Sequence, residues 1–237
     1  MTYNKRDDGR KFDDMRKIEA KVGVIDRADG SAMFKFGNTW AYAAVYGPRN
    51  LFPRFLQDPQ KGILRCNYNM MPFSSSSERV RPGGSRRSKE ISMVTEKALL
   101  PVLNLDEYPN SVVDVFIELP QTEAGSRTAG INAAAMALAD AGLIMKDMVS
   151  SVSVGKVDDK LVVDLDYAEE AWPEGDVADT PVAIMANSGK VTLLQMDGII
   201  SKDELKELVK LAKKACQKIY EIQKKALKDK YKVEKNE

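Results

Sequence analysis

The chain has 237 residues, 43% apolar and 30% charged, with 36 basic and 35 acidic side chains and a net charge of +1. This composition excludes a disordered or fibrous protein and allows one sizeable core or two small ones. Near-neutral charge means that a nucleic-acid partner has to be argued from where the basic residues sit.

No histidine is present, which removes the commonest general acid/base and every Ser-His or Cys-His nucleophile pair. Cys66 and Cys216 lie far apart with no Cys-x-x-Cys neighbour, so a zinc site is not expected. No run approaches the ~20 apolar residues of a membrane span, and the N-terminus lacks the apolar stretch of a secretion signal. A cytoplasmic protein without a membrane partner is the expectation.

In chain order, residues 31–36 and 39–46 are strand-like runs joined by Gly37-Asn38, a pair suited to a tight hairpin. Residues 74–87 collect serine, glycine and arginine without apolar period and read as a flexible basic loop. A helix is predicted over 88–103. Alternation of Val113, Val115, Ile117 and Leu119 with polar or outward residues predicts a strand ending at Pro120.

After a loop over 121–127, the small residues of 128–141 followed by Gly142 predict a closely packed helix. Two further hairpins are predicted, 152–154 with 161–165 and 182–185 with 191–196. Ser201 and Glu204 form a capping-box pattern. Leu205, Leu208, Val209, Ala212, Cys216, Ile219, Ile222 and Ala226 then repeat at helical spacing, with a frayed tail from about residue 229. Strands grouped between helices make the class α+β, and a hairpin plus helix on either side of residue 145 hints at two similar halves.

Three segments carry chemistry. Gly125, Ser126 and Arg127 fall between a strand end and a helix start, where free amides, a hydroxyl and a planar guanidinium suit an anion. An ordinary capped helix with a surface arginine has the same pattern. Arg79, Arg81, Arg86, Arg87 and Lys89 crowd one loop with no acid among the basic residues from Arg79 on, which fits a phosphate backbone or a solvated surface. Arg54 and Arg65 lie near Phe55 and Tyr68, aromatics read as core rather than base-stacking platforms. The third segment is acidic, with Asp164, Asp166, Glu169, Glu170, Glu174, Asp176 and Asp179. It suits a divalent ion, a general acid or only a solvated turn.

Taken together, a series of motifs resembles the RNase PH family, and within it the catalytic RNase-PH-type subunits of the archaeal exosome. They are Asp8-Gly9-Arg10, Arg16, residues 28–31, 36–39 and 44–48, Pro53-Arg54, residues 71–73, Ser85-Arg86-Arg87, residues 123–127, 137–142 and 154–156, and Asp164-Leu165. The resemblance runs nearly end to end.

It implies a single RNase PH domain over 1–237 with the RNase PH fold, ribosomal protein S5 domain 2-like, built of two βαβα-like halves. It implies a hexameric ring shared with a related non-catalytic RNase-PH-type subunit and RNA-binding cap proteins. The implied activity is 3′→5′ phosphorolysis of single-stranded RNA with inorganic phosphate as co-substrate and Mg²⁺ as cofactor, releasing nucleoside diphosphates; the reverse reaction adds 3′ tails.

Residue by residue, Gly125, Ser126 and Arg127 match the phosphate-binding loop, Arg86 and Arg87 the arginine pair that grips RNA, and Arg54 a basic position facing RNA. The acidic segment departs from the family pattern. Glu170 stands where the first aspartate is usual, and the second is Asp176 by gapless counting or Asp179 if three residues are inserted. Asp179 is preferred, as general acid and metal ligand. The alternative is a ring subunit that binds RNA without chemistry, for which Glu170 is the argument; a two-metal hydrolytic nuclease would need carboxylates spread over several elements, and here they are concentrated in one segment.

Overall fold

The computed structural model describes residues 3–75, 80–173 and 175–232. Two sheets enclose a central helix. The first sheet holds β1 (Ile18–Val22), β2 (Gly30–Phe36), β3 (Thr39–Asn50), β4 (Ile63–Met70) and β5 (Ser111–Gln121), in the order β1-β2-β3-β5-β4. Its pairings are antiparallel except β4 with β5, which run parallel. A parallel pair needs a crossover, and α1 (Arg86–Leu99) supplies it.

The second sheet is antiparallel, β7-β6-β8-β9, with β6 (Val149–Val157), β7 (Lys160–Val163), β8 (Val177–Met185) and β9 (Val191–Leu194). Between β7 and β8 lies the short α3 (Tyr167–Glu170), and α4 (Lys202–Lys230) follows β9. The first half thus contains a β4-α1-β5-α2 series, while the second has only one helical turn between its hairpins.

The central helix α2 (Ser126–Asp140) is buried along its length except at Arg127 and Ala139. Its alanines and Gly130 let strands of both sheets approach closely. A Cβ at Gly130 would sit 3.2 Å from Ile117 and 3.6 Å from the Tyr68 ring. Asn132 locks α2 to β6, donating to the Ser151 carbonyl at 2.7 Å and accepting from the Ser151 amide at 2.8 Å. Gln223 of α4 joins this buried set through Ser150, whose hydroxyl donates to it at 2.7 Å. Every member is satisfied, so the bond set fixes α2 against the second sheet.

Several boundaries differ from expectation. Helix α1 begins at Arg86, not 88, because Ser85 and Ser88 form a reciprocal cap; Arg86 and Arg87 therefore belong to a helical turn rather than to the 74–87 loop. The same helix ends at Leu99, since Pro101 lacks an amide and the chain tightens into a 3₁₀ turn over Leu100–Val102. Helix α2 begins at Ser126, two residues early, because Gly125 takes a left-handed conformation (φ 67°) and its carbonyl accepts the first helical bond from Ala129.

Strand β5 continues to Gln121 because Pro120 falls where the register with β3 is irregular. Strands β1 and β4 were not predicted. Helix α4 has its expected Ser201–Glu204 cap and stays helical to Lys230, where Lys230 and Tyr231 bond Asp140 at 2.5 and 3.0 Å. Arg79 and Glu174 lie outside the described residues.

Candidate active site

The loop from β5 into α2 is braced from below. The Ala124 carbonyl accepts from the Thr39 hydroxyl at 2.7 Å and from Arg16 Nη2 at 3.2 Å, and the Glu123 amide donates to Thr39 at 3.1 Å. Arg16 is itself clamped by Asp164, with Nε at 3.0 Å, Nη2 at 2.7 Å and its backbone amide at 2.7 Å from the carboxylate. Both residues are buried, so this two-pronged pair ties the loop of the first half to the acidic segment of the second. The amides of residues 126–128 precede the first helical bond and face outward with the positive end of the helix dipole.

Around this helix start opens a cleft of about 600 Å³. Gly125, Ser126, Arg127 and Arg87 of the first half line it together with Ser153, Glu170, Asp179, Gln195 and Asp197 of the second. Arg127 is held by Gln195, its Nη1 donating to Oε1 at 2.6 Å, and Gln195 donates onward to Glu90 at 3.3 Å. Asp179 lies on β8, accepts a hydrogen bond from the Ser153 hydroxyl and bridges to Asp197 through reciprocal backbone bonds of 2.8 and 2.9 Å. Glu170 closes α3.

Burial raises the Glu170 carboxyl to about 7, and the neighbouring Asp179 charge adds to the rise. Burial likewise raises Asp179, while Ser153 and Arg127 pull it back. Two carboxylates forced together in a low-dielectric site share protons as a unit.

The acidic cluster therefore separates by partner. Asp164 belongs to Arg16. Glu169 is buried against Arg6, with contacts of 2.7 and 2.8 Å. Asp166 caps α3. Glu170 and Asp179 enter the cleft, whereas Asp176 is exposed and does not line it. Of the two arginines at the start of α1, Arg87 lines the cleft and Arg86 does not. Arg54 sits in an exposed 3₁₀ turn outside the cleft. Arg65 is occupied by Asp114 at 2.7 and 2.9 Å. Tyr68 is buried as expected, but Phe55 is 82% exposed, contrary to its reading as core, because its turn buries no residue.

Sequence reasoning missed Ser153, Gln195 and Asp197. They sit in or just after strands, and only the alternation of those strands marked them as facing one side. Thr39 and Arg16 were visible as motif members without a role.

Known proteins match the chain through both of its halves. The "3' exoribonuclease family, domain 1" matches residues 14–143 and "domain 2" of the same family matches 147–215. The exosome complex component Rrp41 of Methanopyrus kandleri is 50% identical over 224 residues, 94% of this chain and 92% of that one. Its counterpart from Thermococcus kodakarensis is 51% identical over 227 residues, 96% and 90% of the two chains.

Rice Rrp46 has a similar fold, with a TM-score of 0.81 at 23% identity over 94% of this chain and all (100%) of that one. So does a chain of the Archaeoglobus fulgidus exosome with RNA bound to the active site, at 0.77 and 24% over 92% of each. Matched by both domains of one family through both of its halves, and half identical to archaeal Rrp41 chains over nearly its whole length, this chain belongs to the 3′ exoribonuclease family, the RNase PH family.

Proposed function

We propose that the chain is a phosphate-dependent 3′→5′ exoribonuclease working as the catalytic subunit of an exosome. The observation that carries this reading is that one cleft is lined by both the Gly125-Ser126-Arg127 helix start and the carboxyls of Glu170 and Asp179. An inorganic phosphate held by the amides, Ser126 and Arg127 attacks the phosphorus of the 3′-terminal phosphodiester. The bond from that phosphorus to the 3′ oxygen of the penultimate nucleotide breaks, and a nucleoside 5′-diphosphate leaves.

The departing 3′ oxygen needs a proton, and the Glu170–Asp179 pair holds one near neutrality. Arg87 and Arg127 reduce repulsion between two anions that must react. No protein nucleophile is required, which suits a chain without histidine. Water does not replace phosphate in this scheme, so the enzyme is a phosphorolase rather than a hydrolase.

Mg²⁺ fits as a companion of the phosphates. Asp179 is the carboxylate that would hold it, with phosphate oxygens and water supplying the other ligands usual for this ion, while Glu170 keeps the proton. Bound there, it would neutralise phosphate charge.

The RNA is single-stranded and enters past Arg87. Arg86 and Arg54 meet the backbone further out, with exposed Phe52, Phe55 and Leu56 beside Arg54. A hexameric ring with a related non-catalytic subunit, carrying RNA-binding cap proteins, would cover the apolar edge formed by Val191, Leu194, Met196 and Ile199. No described helix is long and apolar enough to cross a membrane, and the proposed compartment is the cytoplasm.

The test uses 5′-labelled RNA, with phosphate present or withheld and with the ring partner present or absent. Phosphate-dependent shortening to nucleoside diphosphates is expected, lost in Asp179→Asn and Glu170→Gln and retained in Asp176→Asn. Monophosphate products without phosphate would establish hydrolysis instead. Binding without shortening would establish a scaffold.

A further inference from the structure

Tyr68 lies on β4 beneath the cleft, 3% exposed. Its ring packs on α2 at Gly130, one helical turn beyond Ser126. The phenol hydroxyl reaches the neighbourhood of Ser126, Arg87 and Arg127. It is buried and makes no well-formed hydrogen bond to any described residue. A buried, unpaired hydroxyl costs folding free energy, and phenylalanine would fill the same space without that cost. The same ring also borders a cavity of about 330 Å³ that shares Arg87, Glu123 and Glu170 with the cleft. The unpaired group thus sits at the one place in the fold where an anion is expected.

We propose that Tyr68 is a positioning residue for the Ser126 hydroxyl, completing a relay from the Tyr68 O–H to Ser126 Oγ and from the Ser126 O–H to the attacking phosphate. This rests on the reading of Gly125-Ser126-Arg127 as the phosphate site. When Ser126 turns its proton into the cleft, its oxygen lone pairs face inward, and Tyr68 carries a buried donor there with no other described partner. Burial also pushes the phenol up from its ordinary value, which favours the protonated donor. Two hydroxyls in series polarise one another, which strengthens the outer bond to an anion. In this arrangement phosphate fixes the Ser126 proton in the cleft and leaves its oxygen to the phenol, so the phenol's cost in the free protein becomes a preference for the occupied site.

The experiment is a double-mutant cycle on the full chain, assembled with its exosome partners. Tyr68→Phe, Ser126→Ala and the double variant are compared in phosphate kcat/KM, and their thermal midpoints are recorded in phosphate-free buffer. Tyr68→Phe is expected to keep or raise the midpoint while lowering phosphate kcat/KM roughly five- to tenfold, the worth of one lost hydrogen bond. In the Ser126→Ala background the same change is expected to have no further effect.

A Tyr68→Phe variant with normal phosphate kinetics overturns the proposal. An equal loss in both backgrounds does so too, since Tyr68 would then act independently of Ser126. A lowered midpoint with unchanged kinetics assigns Tyr68 to packing alone. If Ser126→Ala itself leaves phosphate kinetics unchanged, the phosphate-site reading fails, and that outcome is distinct from failure of the relay.

Discussion

Replacing Glu170 with glutamine has opposite expected effects on stability and on catalysis. In the folded chain the Glu170 carboxyl titrates at about 7 rather than 4.5, because it is largely buried and faces Asp179. The unfolded chain releases this proton near 4.5, so between the two values the folded state holds more protons and stability falls as pH rises. The contribution is fully present below 4.5 and gone above 7. Each pH unit of such a gap is worth about 1.4 kcal/mol, giving roughly 3 kcal/mol in all.

Glutamine copies the neutral carboxyl and does not titrate. Glu170→Gln should therefore match the parent chain near pH 4.5 and exceed it above pH 7 by up to roughly 3 kcal/mol, while RNA phosphorolysis is lost. Urea unfolding of both proteins at half-unit steps from pH 4.5 to 9, in phosphate-free buffer, measures the difference. A stability gap that stays flat across this range would refute the coupling of Glu170 to burial and Asp179.

Other substitutions probe the parts that hold the cleft together. Gln195→Ala removes the partner of Arg127, a hydrogen bond to a charged group worth about 1.5–3 kcal/mol; phosphate KM should rise at least tenfold, roughly, by initial-rate kinetics. Gly125→Ala forces a side chain into the left-handed region at a cost of about 1–2 kcal/mol and brings a methyl within 3.3 Å of Arg16 and Thr128. Calorimetry should record a lower midpoint, and phosphate affinity should fall with it. Arg6→Ala leaves the buried Glu169 without its ion-pair partner; denaturant unfolding should show a loss of roughly 3–5 kcal/mol.

How much of this could be read before the structure depends on distance along the chain. Gly125, Ser126 and Arg127 are contiguous, so their place at a helix start after a strand was legible from residue type and spacing. The hairpins with glycine-rich turns and the Ser201–Glu204 cap were legible for the same reason, since each is decided by neighbours in sequence. Strand β4 was not, although Leu64, Cys66 and Tyr68 alternate with polar residues, because a parallel strand has no turn to announce its partner. Seven clustered carboxylates looked interchangeable because the residues that sort them are remote. Arg16 and Arg6 claim Asp164 and Glu169 from about 150 positions away. Asp176 lies exposed just before β8, while Asp179 sits on that strand and lines the cleft. The basic loop was misjudged at its end, where Ser85 and Ser88 cap a helix through polar bonds that hydrophobic period does not register.

The site depends on the two halves being held in one register, and the covalent chain alone does not ensure this. The proposed phosphate loop belongs to the first sheet and its helix, and the carboxylates to the second sheet and α3. Three links join them. Arg16 binds both the Ala124 carbonyl and Asp164. The buried set of Asn132, Ser150, Ser151 and Gln223 fixes α2 to β6. Gln195 reaches across the cleft to Arg127. A phosphorolase has little covalent chemistry to perform, so its rate depends on holding phosphate, scissile bond and proton donor in line. A shift of an ångström between the halves would separate Arg127 from Asp179 without altering either residue. Weakening any of these links should therefore lower kcat as well as phosphate affinity, even though Arg16 and Asn132 do not touch the reacting atoms.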